Sequence, residues 1–203
     1  WMQLDKHRFI DVNEIANIVG IQEHRELAKK IGRKSITLVK NENDIIPVPV
    51  NSKKKYSHII LIDSRLETTG NYFHNLIRER VNNPSVKVIN FNSNDADYLE
   101  ALKKADESEL VIVSVYLKVR SFQESIGIDE NQKKLIEQLL ELDKPVILLS
   151  HGNPYLLSAF TNAKVYMTNY GDSDVSELAM AEALFGEIDI TGKLSVSIPN
   201  SEY

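Results

Sequence analysis

The chain contains no cysteine. That excludes disulfide staples, thiol nucleophiles and cysteine-based zinc sites, although it fits more than one compartment. No apolar run approaches the roughly 20 residues that cross a bilayer as a helix, so no membrane span is expected, and no signal-peptide pattern opens the sequence. Positive charge is sparse. The net charge is −5 and no basic stripe forms, which argues against a nucleic-acid partner. The one dense basic run, Lys53-Lys54-Lys55, reads as a solvated loop. Eight glycines are scattered singly. No G-x-G-x-x-G, Walker or G-x-S-x-G pattern follows a strand, so a dinucleotide, a nucleoside triphosphate and a serine-hydrolase elbow are not expected. The five histidines, His7, His24, His58, His74 and His151, show no helical metal spacing. Neither a metal nor a cofactor is expected.

What is present is an ordinary globular composition. Hydrophobic residues make up 42% of the 203 residues and charged residues 26%, enough for one domain with a packed core and some length to spare. Short continuous apolar runs alternate with helical periodicity. Residues 59–62, 86–91, 110–115, 145–149 and 163–168 read as strands, the continuous runs as strands buried on both faces. Residues 72–81, 95–105, 129–142 and 174–185 read as helices, the last stopping at Gly186. Residues 25–39 are helical and then extended, leading into the polar turn 40–44. Strands separated by helices need crossover connections. The expected fold is therefore α/β: a three-layer sandwich with a mostly parallel, flavodoxin-like sheet. The tail from 187 has no helical period. Its alternating Leu194, Val196 and Ile198 suit an edge strand before Pro199.

In such a sheet, ligands bind at the loops after the carboxyl ends of the strands. Those loops are Asp63-Ser64-Arg65, residues 116–128, His151-Gly152-Asn153-Pro154-Tyr155 and Asn169-Tyr170-Gly171-Asp172. The second is long enough to project. Arg120, Gln123 and Glu124 offer donors and acceptors and Phe122 offers an apolar face, a mixture that suits sugar hydroxyls and C–H faces; it also suits a solvated surface loop. His151 caps a strand end or lines a pocket. Asp172, Ser173, Asp174 and Glu177 read as a helix N-cap with acidic residues in the first turn, where they meet the helix dipole.

Three segments together resemble one family. Residues 33–47, with Ser35-Ile36-Thr37-Leu38-Val39-Lys40-Asn41-Glu42 and then Ile45-Ile46-Pro47, resemble the linker by which family 3 glycoside hydrolases pass from their barrel into an α/β sandwich. Gly152-Asn153-Pro154-Tyr155 resembles the family's G-N-P-Y turn. Residues 183–199, running from Ala183-Leu184-Phe185-Gly186 through Gly192-Lys193-Leu194 to Ile198-Pro199, resemble its terminal signature, and Tyr170-Gly171-Asp172 stands at the expected distance before it. Trp1-Met2-Gln3-Leu4 is similar to the end of the barrel's last helix. The division implied is 1–34, the end of a preceding barrel domain with a linker helix, and 35–203, an α/β sandwich with an extended C-terminal tail. Ser195 departs from the pattern, standing where proline is common.

The resemblance implies a retaining, exo-acting glycosidase in which an aspartate on the barrel attacks the anomeric carbon and a second group protonates the leaving oxygen. The partners implied are that barrel domain of the same polypeptide and a carbohydrate, in a periplasmic or secreted setting. No catalytic residue is then expected in this chain itself. Arg120, Phe122, Gln123, His151 and Asn153 are the candidate substrate-binding residues. Residues 116–128 look like the short loop of β-N-acetylglucosaminidase-type members, in which a barrel histidine is the acid/base. In β-glucosidase-type members a glutamate of the α/β domain does that work, and Glu124 is the positional candidate. A free-standing carbohydrate- or partner-binding module is a further alternative.

Overall fold

The structure is a computed structural model that describes residues 3, 5, 6, 9, 11–63, 69–117 and 126–199. Among the described residues six strands form one sheet: β1 (Thr37–Asn41), β2 (Tyr56–Ile62), β3 (Ser85–Ile89), β4 (Leu110–Tyr116), β5 (Val146–Ser150) and β6 (Val165–Thr168). Their order is β1-β6-β5-β4-β2-β3. β1 runs antiparallel to β6 and every other pair is parallel. The helices are α1 (Ile15–Ile18), α2 (Gln22–Ser35), α3 (Asn71–Arg78), α4 (Asp95–Asp106), α5 (Glu130–Leu140) and α6 (Asp174–Leu184). None of the described helices is long and apolar enough to cross a membrane.

The layers follow from the alternation of side chains along each strand. On one face Tyr56, Leu110, Ile112, Ile147, Leu149, Val165 and Met167 pack against Phe73, Leu76 and Ile77 of α3 and the small-residue face of α6. On the other, Ile59, Leu61, Val111, Val113, Val115 and Leu148 pack against Ala101 and Ala105 of α4 and Leu135, Ile136 and Leu139 of α5. All residues of β2, β4 and β5 are buried, the burial on both faces that their continuous apolar runs predict. The fold is the expected three-layer α/β sandwich.

Local chemistry sets the element ends. Asn94 caps α4 in a reciprocal box with Asp97, and Asp129 accepts from the N–H groups of Asn131 and Gln132 to start α5. β3 is the sheet's outer strand opposite β1, and its Lys87 ammonium pairs with both Asp97 and Glu100 of α4.

The tail departs from expectation. Residues 187–199 form no strand. β1 already occupies the free edge of β6, which leaves the tail no ladder to join there. Instead Gly192 N–H bonds to Ile36 O, so close to the α2–β1 junction that a Cβ at Gly192 would lie 2.3 Å from that carbonyl oxygen. Leu194 and Ile198 pack onto the α4/α5-side core.

Candidate functional site

The carboxyl ends of the parallel strands gather one set of loops. Chain connections leave β2 in opposite directions, to β3 on one side and on to β4 on the other, the switch in winding at which open α/β sheets bind ligands. A cleft of about 170 Å³ opens at this edge, lined by Asp63, Asn90, Phe91, Tyr98, Asp129 and Gln132. A larger one, about 300 Å³, lies at the opposite edge beside Pro145, Val146 and Val165, away from these loops.

Arg120, Phe122, Gln123 and Glu124 lie outside the described residues. His151 and Asn153 are described, and both are buried. Asn153 holds its turn together: its Oδ1 accepts from Tyr155 N at 3.0 Å, its Nδ2 donates to Ile126 O at 3.4 Å, and its carbonyl accepts from Ser150 Oγ at 2.6 Å. Gly152 has φ +135°, and a Cβ there would meet Leu117 O at 2.6 Å. The turn after β5 therefore presses against the loop after β4, and only glycine permits it. Tyr155, 40% exposed, is the aromatic this turn turns outward.

His151 sits in a stack of rings. Tyr116 lies parallel to it at 4.3 Å and Phe73 meets it edge-on at 4.8 Å. Asn169 Nδ2 approaches its Nδ1 at 3.2 Å. An amide NH2 can only donate, so Nδ1 accepts and the ring proton is on Nε2. That Nε2 is buried without a partner. Burial pushes the imidazole down to about 3, so it stays neutral at physiological pH. A neutral, enclosed ring of this kind shapes its surroundings rather than delivering protons.

Sequence reasoning missed the groups beside it. Glu177 does not fold back to cap its own helix. Ser173 holds the N-cap of α6 without a side-chain bond to the helix backbone, and Glu177 turns inward, 3% exposed, where Tyr116 Oη donates to its Oε1 at 2.7 Å. Burial first, then Asp174 and Asp172, push the carboxyl group up to about 7, against the pull of bonds from Tyr116 and from Phe73 N–H. One layer deeper, His58 Nε2 meets Ser114 Oγ at 2.8 Å and its Nδ1 meets His74 Nδ1 at 3.1 Å. Burial above all, then His74 and His151, hold His58 well below the ordinary imidazole value. The available signal was a polar residue inside an apolar strand run, His58 in β2 and Ser114 in β4; a side chain that polar on a buried strand needs a partner.

A second surface is formed by the helices before β1. α2 packs on α6 through Gly32, against Val175 and Ala179, and through Arg33, which makes a two-pronged pair with Glu182 at 2.7 and 2.6 Å. Leu27 and Ile31 of the same helix are 55% and 59% exposed, and Val12, Ile15, Ile18 and Val19 before it are exposed as well.

Comparison with known proteins places this geometry. The chain is 26% identical over 200 residues to thermostable β-glucosidase B of Acetivibrio thermocellus, covering 87% of this chain and 26% of that protein. It is 27% identical over 222 residues to a putative β-xylosidase of Formosa agariphila, covering 95% of this chain and 28% of that protein. It thus spans about a quarter of the length of these curated relatives. A fungal multi-domain glycoside hydrolase family 3 β-N-acetylglucosaminidase superposes with a TM-score of 0.77 at 21% identity, over 96% of this chain and 21% of that one; at that identity the likeness is one of fold. Residues 36–203 match the glycosyl hydrolase family 3 C-terminal domain, and the chain belongs to that family.

Proposed function

We propose that this chain serves as the C-terminal α/β domain of a retaining, exo-acting glycoside hydrolase, inactive alone, packing on a barrel domain of the same polypeptide and shaping its sugar pocket. The family match over residues 36–203 carries this reading. The geometry supports it in two ways. The loops at the carboxyl edge are braced from below by buried groups, as a rim that must hold a shape requires. The exposed apolar residues of α1 and α2 form a face of the kind that a neighbouring domain covers, and they fall at or before residue 31, ahead of the matched region.

In this reading Arg120, Phe122 and Gln123 bind the sugar, while His151 and Asn153 act by holding the turn after β5. The nucleophile belongs to the barrel. We favour the β-N-acetylglucosaminidase type, on the short form of residues 116–128. The alternative is the β-glucosidase type, in which Glu124 is the acid/base; one of the sequence relatives is named a β-glucosidase.

The test is turnover of nitrophenyl glycosides of glucose and N-acetylglucosamine by the 203-residue chain and by the full-length product. Activity confined to the full-length protein is the expected result; turnover by the chain alone overturns the reading. Glu124→Gln in the full-length protein separates the types. The N-acetylglucosaminidase type predicts activity within a few-fold, whereas loss of an acid/base costs about 10²–10⁴-fold.

A further inference from the structure

α3 begins without a cap of its own. Its N-cap position is Gly70, with φ +82° and no side chain to offer, and larger residues are shut out because a Cβ there would lie 2.8 Å from Ile60 Cγ2 and 3.0 Å from Tyr116 Cε2. The first N–H groups of a helix have no intrahelical acceptor. Glu177 of α6 comes close enough to one of them, Phe73 N–H, for that group to favour its ionised form. The same carboxyl group takes the hydroxyl of Tyr116 at the end of β4. Tyr116 stacks on His151 at the end of β5, and His151 is bonded to Asn169 at the end of β6. Asn169 Nδ2 also donates to Ser176 O, one residue before Glu177 in α6, at 3.2 Å.

We infer that Glu177 is the positioning residue of the carboxyl edge, a clamp that ties the roots of the loops after β2, β4, β5 and β6 into one unit and loosens when its carboxyl group ionises. The loop after β4 is reached directly, through the hydroxyl of Tyr116, the loop after β2 through the nearness of the Phe73 N–H at the start of α3, and the other two through His151 and Asn169. The surroundings explain the dependence on protonation. Asp172 faces Glu177 from the loop after β6 and Asp174 from its own helix; Tyr72 and Phe73 N–H approach from α3, Tyr116 from β4, and neutral His151 lies behind Tyr116. Ionisation of Glu177 strengthens the bond from Tyr116 but leaves a charge on a buried group with the exposed Asp172 and Asp174 nearby, and the cost of burial exceeds that gain. Its ionisation shifts from the ordinary 4.5 up to about 7 in the fold. With the folded value raised, the clamp's contribution is complete below about 4.5 and is lost as pH rises through about 7.

The clamp's role in activity rests on the carboxyl edge being the sugar-facing edge; its existence does not, and the test reads the chain itself. Amide hydrogen exchange, corrected for intrinsic rates, is measured at Phe73, Leu117, Gly152 and Gly171 at pH 6 and pH 8.5. In the wild-type chain protection is expected to fall about tenfold between the two, the ratio that a shift from 4.5 to about 7 gives by linkage. Glu177→Gln keeps an acceptor for Tyr116 and Phe73 but cannot ionise, and its protection is expected to change less than twofold. Equal pH dependence in the two proteins overturns the proposal. Should the variant fail to fold, the carboxyl carbon of Glu177 in wild-type protein is titrated by NMR. A midpoint near 7 supports the clamp, and one in the ordinary carboxylate range overturns it.

Discussion

The two faces of the sheet are built from the same strands and solve different problems. The face under α4 and α5 has an apolar centre of Val111, Val113, Val115 and Leu148, with the buried hydroxyls of Ser57, Ser150 and Thr168 toward its ends. The face under α3 and α6 has a comparable apolar base but carries His58, Ser114, Tyr116 and His151 toward the carboxyl edge, with Glu177 set against them from above. The centre of the face under α4 and α5 holds by burial of groups that do not titrate. The other adds groups whose protonation the fold constrains, and it lies beneath the candidate site. On that face the histidines and Glu177 pull in opposite senses. His151 is depressed, so its contribution is present above about 6.5 and is lost as pH falls toward about 3. Glu177 is raised, so its contribution is lost as pH rises through about 7. Between about pH 4.5 and 6.5 the trends of His151 and Glu177 run in opposite directions and partly offset each other.

The comparison can be broken most directly on the apolar side. Leu148→Ala should cost about 2–5 kcal/mol by urea denaturation, the usual range for a core truncation, because Leu148 is fully buried. The cost should be the same at pH 5.5 and pH 8; a pH-dependent cost would erase the distinction between the faces. A smaller effect sharpens the polar side. His151→Phe keeps a ring between Tyr116 and Phe73 and removes both the unpartnered Nε2 and the titration. The stability difference between this variant and wild type should move by about 2 kcal/mol in the variant's favour between pH 7 and pH 5, as the shift from 6.5 to about 3 requires. A difference that stays constant over that range would remove His151 from the account. The smallest effect belongs outside both faces. Leu27→Ser with Ile31→Ser, on the exposed side of α2, should change stability by no more than about 0.5 kcal/mol while reducing any self-association seen by sedimentation. A large loss of stability would mean that these side chains are buried against the domain itself.

The sheet was legible because β2, β4 and β5 are buried on both faces and so carry no alternation to misread. The tail was not, because alternation in Leu194, Val196 and Ile198 says nothing about whether a strand edge is free to receive it, and β1 had taken that edge. The loops of the candidate site were legible as strand ends, and Gly152-Asn153-Pro154-Tyr155 as a turn. The network beneath them was not. His58 and His74 are 16 residues apart, on a strand and a helix, and they meet only because α3 lies across β2. Glu177 carries the spacing of an ordinary first-turn acid in its helix. Its inward direction depends on how α6 is rotated against α3 and β4, a fact of packing that no local pattern encodes.

The lysine on the outer strand has a consequence for how this domain behaves among copies of itself. With β1 covering one side of the sheet, β3 is the strand whose backbone groups face outward on the other. Lys87 stands at the middle of β3, gripped by Asp97 and Glu100. A strand from another molecule would have to dock beside a charge that is already anchored and cannot swing aside, which raises the barrier to edge-to-edge growth. The edge of the sheet is thus guarded by an anchored charge, whereas the apolar side of α2 stays exposed, so contact between copies is directed to the helix rather than to the strand.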